Sequence, residues 1–319
     1  MKTFRLGLCV LALVLLVGSP ARQATAQSAP APANVRLAVQ PLTNYTTVLL
    51  ARDKGFFAEE KLNVTWTVVS QGAWTVEAVY GGNVEFGGSG LIEPLIARGN
   101  GLELMLAVAN TRIRPTPPDN NAVLVRTADA INKPADLAGK TIAAGLINSI
   151  NYIHMVHWLK NKGVDPSSVR FLELPFPQMA DALYQNRLDA VWNVEPFMTI
   201  MVKSGNARIL VHPYQENNPN MDVTGFYARE SWLKGNRDVA LRFKRAMDRA
   251  TRYFNDAPKE ERDDWVAKFT GVKVDLVAQM SLPHFVTEFN VPALRTNIDL
   301  AVSQKVVKPF DVETMIWKP

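Results

Sequence analysis

Cysteine is almost absent from this chain. Cys9 is the only one in 319 residues, and it lies in an apolar run, Leu6–Val17, that follows Lys2 and Arg5. No disulfide framework, thiol nucleophile or cysteine metal centre can therefore be built downstream. The run is too short for an ordinary membrane span. Its basic start, its break at Gly18-Ser19-Pro20 and the small-x-small Ala24-Thr25-Ala26 have the order of a secretory signal. The sequence predicts cleavage after Ala26, a mature chain from Gln27, and no lipid anchor at Cys9, which no mature domain directly follows.

A strong charge of one sign is also missing. The formal charge is +5, from 35 basic and 30 acidic residues. Lys2, Arg5 and Arg22 belong to the leader, so the mature chain falls to +2. With no basic stripe interleaved with aromatics, nucleic-acid binding is not expected. No later segment approaches about 18 uninterrupted apolar residues, so the mature chain is expected to be soluble. Catalytic signatures are lacking too. Gly87-Gly88-Ser89-Gly90-Leu91 has no final glycine for a nucleophile elbow. Phosphate-loop, dinucleotide and H-E-x-x-H patterns do not occur. His154 and His157 share a helix face but have no third ligand, and read as a surface pair. No enzyme activity, cofactor or metal is expected.

What the chain does have is globular composition, 47 % hydrophobic and 20 % charged, at a length that usually divides into two domains. Short β-type runs alternate with helical runs. Strands are expected at 35–39, 64–69, 84–86 and 102–109, with helices at 46–52, 74–80 and 91–97. After a proline-bearing loop at 111–121 and an extended 122–125, a second series follows. It has strands at 140–144, 169–174, 188–192 and 208–211 and helices at 150–162, 179–186 and 197–202. A polar loop, 212–222, leads to a mainly helical remainder. Such alternation argues for βαβ units with helices on the sheet faces.

Four segments then resemble one family in its order. Leu50–Val64 contains Gly55-Phe56-Phe57 and is similar to the A-x-x-x-G-F-F-x-x-E-x-L-x-V opening of nitrate/sulfonate/taurine-type binding proteins of ABC importers. Val79–Gly87 resembles their A-L-x-x-G-x-V-D-x-G stretch, with Glu85 in place of Asp. Pro134–Ile142 resembles D-L-x-G-K-x-I, and Ala182–Val191 with Glu195-Pro196 resembles A-L-x-x-G-x-V-D-A and its E-P, with Asn186 in place of Gly. The resemblance implies an α/β, two-lobed periplasmic binding protein of type II, each lobe a mainly parallel sheet flanked by helices, joined by a two-stranded hinge. One lobe would comprise 27–127 and 213–319, the other 128–212. It implies a periplasmic monomer that captures a small molecule, foremost an organic anion such as a sulfonate or taurine, and delivers it to an inner-membrane permease. The alternatives are a heteroaromatic such as a thiamine pyrimidine precursor, or a secreted enzyme or sensor input on the same scaffold.

The site can be approached from strand ends, because ligands of open α/β sheets lie beyond the carboxyl ends of the strands. Small or polar residues at such ends are Gln40, Gln71, Gly72, Ser89, Asn148, Ser149 and Asn193. Ser89 and Ser149 are also expected near helix starts, where backbone N–H groups and about half a positive charge favour an anion. Trp74 and Trp192 are the aromatic candidates, and Glu195 is a candidate receptor for a ligand amine. Arg112 and Arg114 are read either as an oxyanion clamp or as solvated loop residues.

Overall fold

The computed structural model describes residues 31–319. The signal features at 1–26, Cys9 and the new terminus at Gln27 lie outside the described residues.

The first unit follows from alternation and one turn. In β1 (Ala33–Val39), Val35 and Leu37 are buried while Asn34 and Arg36 are exposed. β1 pairs in parallel with β2 (Leu62–Val68), Val35 facing Val64 and Leu37 facing Trp66. Parallel pairing needs a crossover, and helices Thr46–Asp53 and Phe56–Glu59 supply it. Gly55 separates them at φ 79°, a left-handed conformation that glycine adopts without a Cβ penalty. The reversal buries Phe56 and Phe57, and Phe57 stacks on Phe243 at 5.8 Å. The Gly-Phe-Phe motif is thus a folding device.

The remaining strands are β3 (Phe86–Gly90), β4 (Leu104–Arg112), β5 (Asn121–Arg126), β6 (Thr141–Ala143), β7 (Arg170–Leu172), β8 (Ala190–Val194), β9 (Ala207–Val211), β10 (Asp222–Arg229) and β11 (His284–Phe285). They form two sheets, ordered β11-β4-β10-β3-β1-β2 and β7-β6-β8-β5-β9. Both sheets are mixed. β10 runs antiparallel between β3 and β4, and β5 runs antiparallel between β8 and β9. Each is the first strand after the chain passes from one sheet to the other, through residues 113–120 and 212–221. A chain leaving one sheet at the carboxyl end of a strand enters the next from that same side, which forces the antiparallel direction.

Several boundaries differ from expectation. The third strand covers the glycine run 86–90 instead of ending at 86. Glycines are required there because helix Gly72–Tyr80 and Tyr45 press onto the strand. A Cβ at Gly87 would lie 2.9 Å from Val79 Cγ2, and one at Gly88 2.7 Å from Tyr45 Cε1. β10 was not anticipated at all, yet it is buried through Ala228 and lies between β3 and β4. The expected loop 212–222 holds helix Pro213–Asn217, and the C-terminal part includes helix Val291–Ser303. β5 belongs to the second sheet, whereas the expected lobe division had kept it with the first. Helix Arg237–Asp256 covers the first sheet with one stripe, Phe243, Ala246, Met247, Ala250 and Phe254, at helical spacing. Phe243 stacks on Phe86 of β3 at 4.3 Å.

Candidate functional site

A cavity of about 280 Å³ opens where the carboxyl ends of the parallel strands of both sheets meet the two crossover segments. Gln40 follows β1, Gln71 and Gly72 follow β2, and Gly90 ends β3. The second sheet contributes Gly145 to Asn151, after β6, together with Phe176 and Val194. The crossovers contribute Asn120 and Tyr214, β5 contributes Asn121, and β10 contributes Val223 and Thr224.

Of the candidates from sequence, Gln40, Gln71, Gly72, Asn148 and Ser149 line this cavity. Asn148 is left-handed at φ 65°, a conformation asparagine tolerates, and it turns the chain into helix Ile150–Asn161. Ser149 caps that helix by accepting the Tyr152 backbone N–H at 3.3 Å. Gln71 holds the N-cap position of helix Gly72–Tyr80 without a side-chain cap bond. Two helix starts therefore face the cavity.

The other candidates lie elsewhere. Ser89 is inside β3 and not at a helix start. Its hydroxyl donates to the Gly90 carbonyl at 2.8 Å and bonds Tyr227 Oη at 3.1 Å. Trp74 is 48 % exposed and lies outside the lining. Trp192 is wholly buried within β8, which runs on to Val194, so its ring is in the core. Trp192 nevertheless supports two lining residues. Its Nε1–H donates to Asn121 Oδ1 at 3.0 Å, and its ring packs on Tyr214 at 4.6 Å. Asn193 donates to the Phe176 carbonyl at 3.2 Å, and its own carbonyl accepts the Val194 N–H. Glu195 is buried and turned onto helix Phe197–Lys203, where Thr199 donates through Oγ1 at 2.6 Å and through its backbone N–H at 3.1 Å. Burial pushes its carboxyl up to about 7, against the pull of these donors. Arg112 is neither a clamp nor a loop residue. It ends β4 and pairs with buried Asp222 at 2.6 Å. His154 and His157 do not form an exposed pair. His154 is buried against Asn297 at 3.0 Å and held down to about 4 by burial, while His157 bonds Asn161.

Residues not anticipated from sequence define much of the wall. Asn44 donates to Thr111 Oγ1 at 3.0 Å and its backbone carbonyl accepts from Asn110 at 2.8 Å. Asn110 also donates to Thr224 Oγ1 at 2.9 Å, and Asn120 reaches Asn44 Oδ1 at 3.3 Å. Asn121 donates to Asp119 at 2.8 Å. Burial pushes Asp119 up to about 6, opposed by the Asn120 N–H and by His212. This amide and hydroxyl network ties the first crossover and β10 to the floor of the cavity. The asparagine doublet after Pro117-Pro118 was the one visible signal for it. Among the described lining residues none is Lys, Arg or His, and two are acids, Glu77 and Glu93. Burial pushes Glu93 up to about 7, over the opposing effect of its own N–H and that of Ile150.

Two mixed α/β sheets joined by two crossovers, with a cavity at the facing strand ends, define the fold of periplasmic binding proteins. The sequence pattern of the NMT1/THI5-like family matches residues 42–261, and the chain belongs to that family. It is 26 % identical over 219 residues to the taurine-binding periplasmic protein of Escherichia coli, covering 67 % of this chain and 65 % of that one. It is 21 % identical over 262 residues to the formylaminopyrimidine-binding protein of Halalkalibacterium halodurans, covering 82 % of this chain and 77 % of that one. In structure it is similar to the alkanesulfonate-binding protein SsuA of Xanthomonas axonopodis pv. citri bound to MOPS. The TM-score is 0.77 at 20 % identity, over 91 % of this chain and all of that one. No helix among the described residues is long and apolar enough to cross a membrane.

Proposed function

We propose that this protein is the solute-binding component of an ABC importer. It would be exported to the periplasm by the leader before Gln27, act as a monomer, deliver its solute to an inner-membrane permease, and catalyse nothing. The observation that carries the reading is the cavity itself, about 280 Å³, lined from both sheets and both crossovers. A solute touching both sides favours the conformation in which the sides approach, by the difference in its affinity for the two states. The first lobe would comprise the sheet of β1–β4, β10 and β11, and the second the sheet of β5–β9.

A small organic anion of the sulfonate kind is the first ligand reading. The two helix starts at Gln71-Gly72 and Ser149 support it, since their N–H groups and dipoles favour negative charge. An uncharged heteroaromatic is the second. It is favoured by a lining with no cationic side chain and by the Glu93 carboxyl.

A thermal-shift panel of sulfonates, nitrate and aminopyrimidines tests the importer reading. A solute at a thousand times its Kd stabilises by about 4 kcal/mol, which for a chain of this size is a rise of roughly 10 °C. Mass spectrometry should return that solute unchanged. Chemical conversion of the solute, or a panel in which nothing raises the melting temperature, would sink the reading.

X-ray scattering addresses closure separately. The radius of gyration is expected to fall when the stabilising solute is saturating. An unchanged radius in the presence of a clear thermal shift counts against closure of the two sides.

A further inference from the structure

Three polar atoms of the cavity wall have no hydrogen-bond partner within the protein. They are Glu93 Oε2, Asn151 Nδ2 and Tyr214 Oη, and all three residues line the cavity. Asn151 is 5 % exposed and Tyr214 1 %. Buried polar groups in folded proteins are nearly always paired. Such atoms occur elsewhere among the described residues, but these three share one cavity, where a ligand can reach them and supply the partner.

They come from three parts of the fold. Glu93 is on helix Ile92–Gly99, Asn151 on helix Ile150–Asn161, and Tyr214 on helix Pro213–Asn217 of the returning crossover. Two of them are visibly held in place. The Glu93 carboxyl lies over two glycines: a Cβ at Gly72 would be 2.7 Å from Oε1, and one at Gly90 2.7 Å from Oε2. The Tyr214 ring is fixed between Trp192, at 4.6 Å, and His154, at 5.0 Å. The chemistry of the three is complementary and directional. An ionised carboxylate only accepts, the amide NH₂ of asparagine only donates, and a phenol does either.

We propose that Glu93, Asn151 and Tyr214 are specificity-determining residues of this cavity, and that together they select a solute carrying an N–H donor beside an acceptor group. The donor, an amine or ring amino group, meets Glu93. The acceptor, an oxygen or ring nitrogen, meets Asn151. The inference rests on the reading that the cavity is the solute site, and it applies to an amino-bearing sulfonate and to an aminoheterocycle alike. Backbone N–H groups of Glu93 and Ile150 already act on the carboxyl. The lining holds no Lys, Arg or His, so no cationic side chain of the cavity wall pairs with Glu93, and a cationic partner would have to come from the solute.

Burial raises the Glu93 carboxyl, and the backbone N–H groups of Glu93 and Ile150 oppose it. The charged groups and phenols around it are Glu77, in the same lining, and the hydroxyls of Tyr45, Tyr214 and Tyr227, which burial and the Glu93 charge push upward and so keep protonated. At pH 8 Glu93 is mostly ionised, so that is the pH for the test.

Calorimetry at pH 8 with two matched pairs of probes decides the matter. Taurine is compared with ethanesulfonate, and 4-aminopyrimidine with pyrimidine. The amino member of at least one pair is expected to bind at least about tenfold more tightly, a difference of about 1.4 kcal/mol. Glu93→Leu should reduce that ratio to within about threefold, with an unliganded melting temperature at or above wild type, because a desolvated acid has been removed. Should Glu93→Leu melt early, Glu93→Gln takes its place as the readout. It retains one acceptor oxygen, and its ratio should fall between those of wild type and no preference. Equal binding of both members by wild type, or a ratio that survives in Glu93→Leu, overturns the inference. So does failure of all four probes when another solute of the thermal-shift panel binds, an outcome that leaves the importer reading standing. A panel with no binder at all overturns the importer reading itself.

Discussion

Trp192→Ala is expected to lower the stability of the unliganded protein by about 3–5 kcal/mol, the usual cost of truncating a buried tryptophan. For a chain of this length the melting temperature should fall by roughly 10 °C. The ring is wholly buried in β8 and packs on Tyr214, so its removal leaves a void that the surrounding strands can only partly fill. The substitution also removes the Nε1–H that Asn121 Oδ1 accepts, and Asn121 is at the start of β5, where the first crossover ends. Solute affinity should weaken as well, through looser Tyr214 and Asn121 and without any direct contact. Trp192→Phe keeps most of the packing but not the N–H, so it should recover most of the stability. Melting of both variants without solute checks the account. A Trp192→Ala protein that melts with wild type would show that the ring is dispensable to the core, against its burial.

The parts of the cavity legible in the sequence were those governed by local rules. Gln40 and Gln71-Gly72 stand where β1 and β2 stop, and Asn148-Ser149 where a helix begins. Turn and cap chemistry marks such places without knowledge of the rest of the chain. Ser89 and Trp192 were misplaced for one shared reason. Their strands continue beyond the point where local β-preference fades, β3 through its glycines to Gly90 and β8 through Asn193 to Val194. Neighbouring strands supply hydrogen-bond partners there, and tertiary pairing overrides propensity. A strand end displaced by four residues in β3, or by two in β8, moves a candidate from the cleft rim into the sheet.

Asn44, Asn120, Asn121, Tyr214 and Thr224 escaped notice because the path of the crossovers sets their position, not any local pattern. Thr224 is on β10, whose Gly225 interrupts an otherwise β-like run. That glycine is needed for space, since a Cβ would lie 2.9 Å from Leu91 Cδ2 and 3.1 Å from the Val108 carbonyl. Glu93 looks in sequence like any acid in the first turn of a helix, where it would favour the dipole. Only the fold shows that Gly72 and Gly90 lie beneath its carboxyl. The alternation of strands and helices carried the class of the fold, because each unit buries its own apolar face. It could not show that both sheets are mixed, since strand direction depends on the route between them.

Arg112→Ala should be as damaging as the loss of Trp192, for an electrostatic reason. Asp222 is 1 % exposed, and Arg112 Nε–H donates to its Oδ1 at 2.6 Å. The other carboxylate oxygen accepts the Asn290 backbone N–H, at the residue that caps helix Val291–Ser303. Arg112 also donates to the Glu288 carbonyl at 2.7 Å. The pair therefore fastens β4, β10 and the C-terminal helix together beside the second crossover. Burial already raises Asp222, and Arg112 is the largest opposing influence. Removing the arginine leaves a buried carboxylate without its counter-ion, which typically costs about 3–5 kcal/mol. The sign of the pH dependence follows. A carboxyl whose folded pKa is raised binds protons more readily folded than unfolded, so its variant loses stability as pH rises through the window between the unfolded and folded values. Without Arg112 the folded value moves further up and that window widens. The deficit of Arg112→Ala relative to wild type should thus be largest near pH 8 and shrink toward pH 4, where a protonated Asp222 needs no counter-ion. Asp222→Asn in the Arg112→Ala background should recover much of the deficit at pH 8 and little at pH 4. Urea unfolding of the three proteins at both pH values measures this, and a deficit that is the same at both would mean that Arg112 stabilises by packing its stem and not by charge.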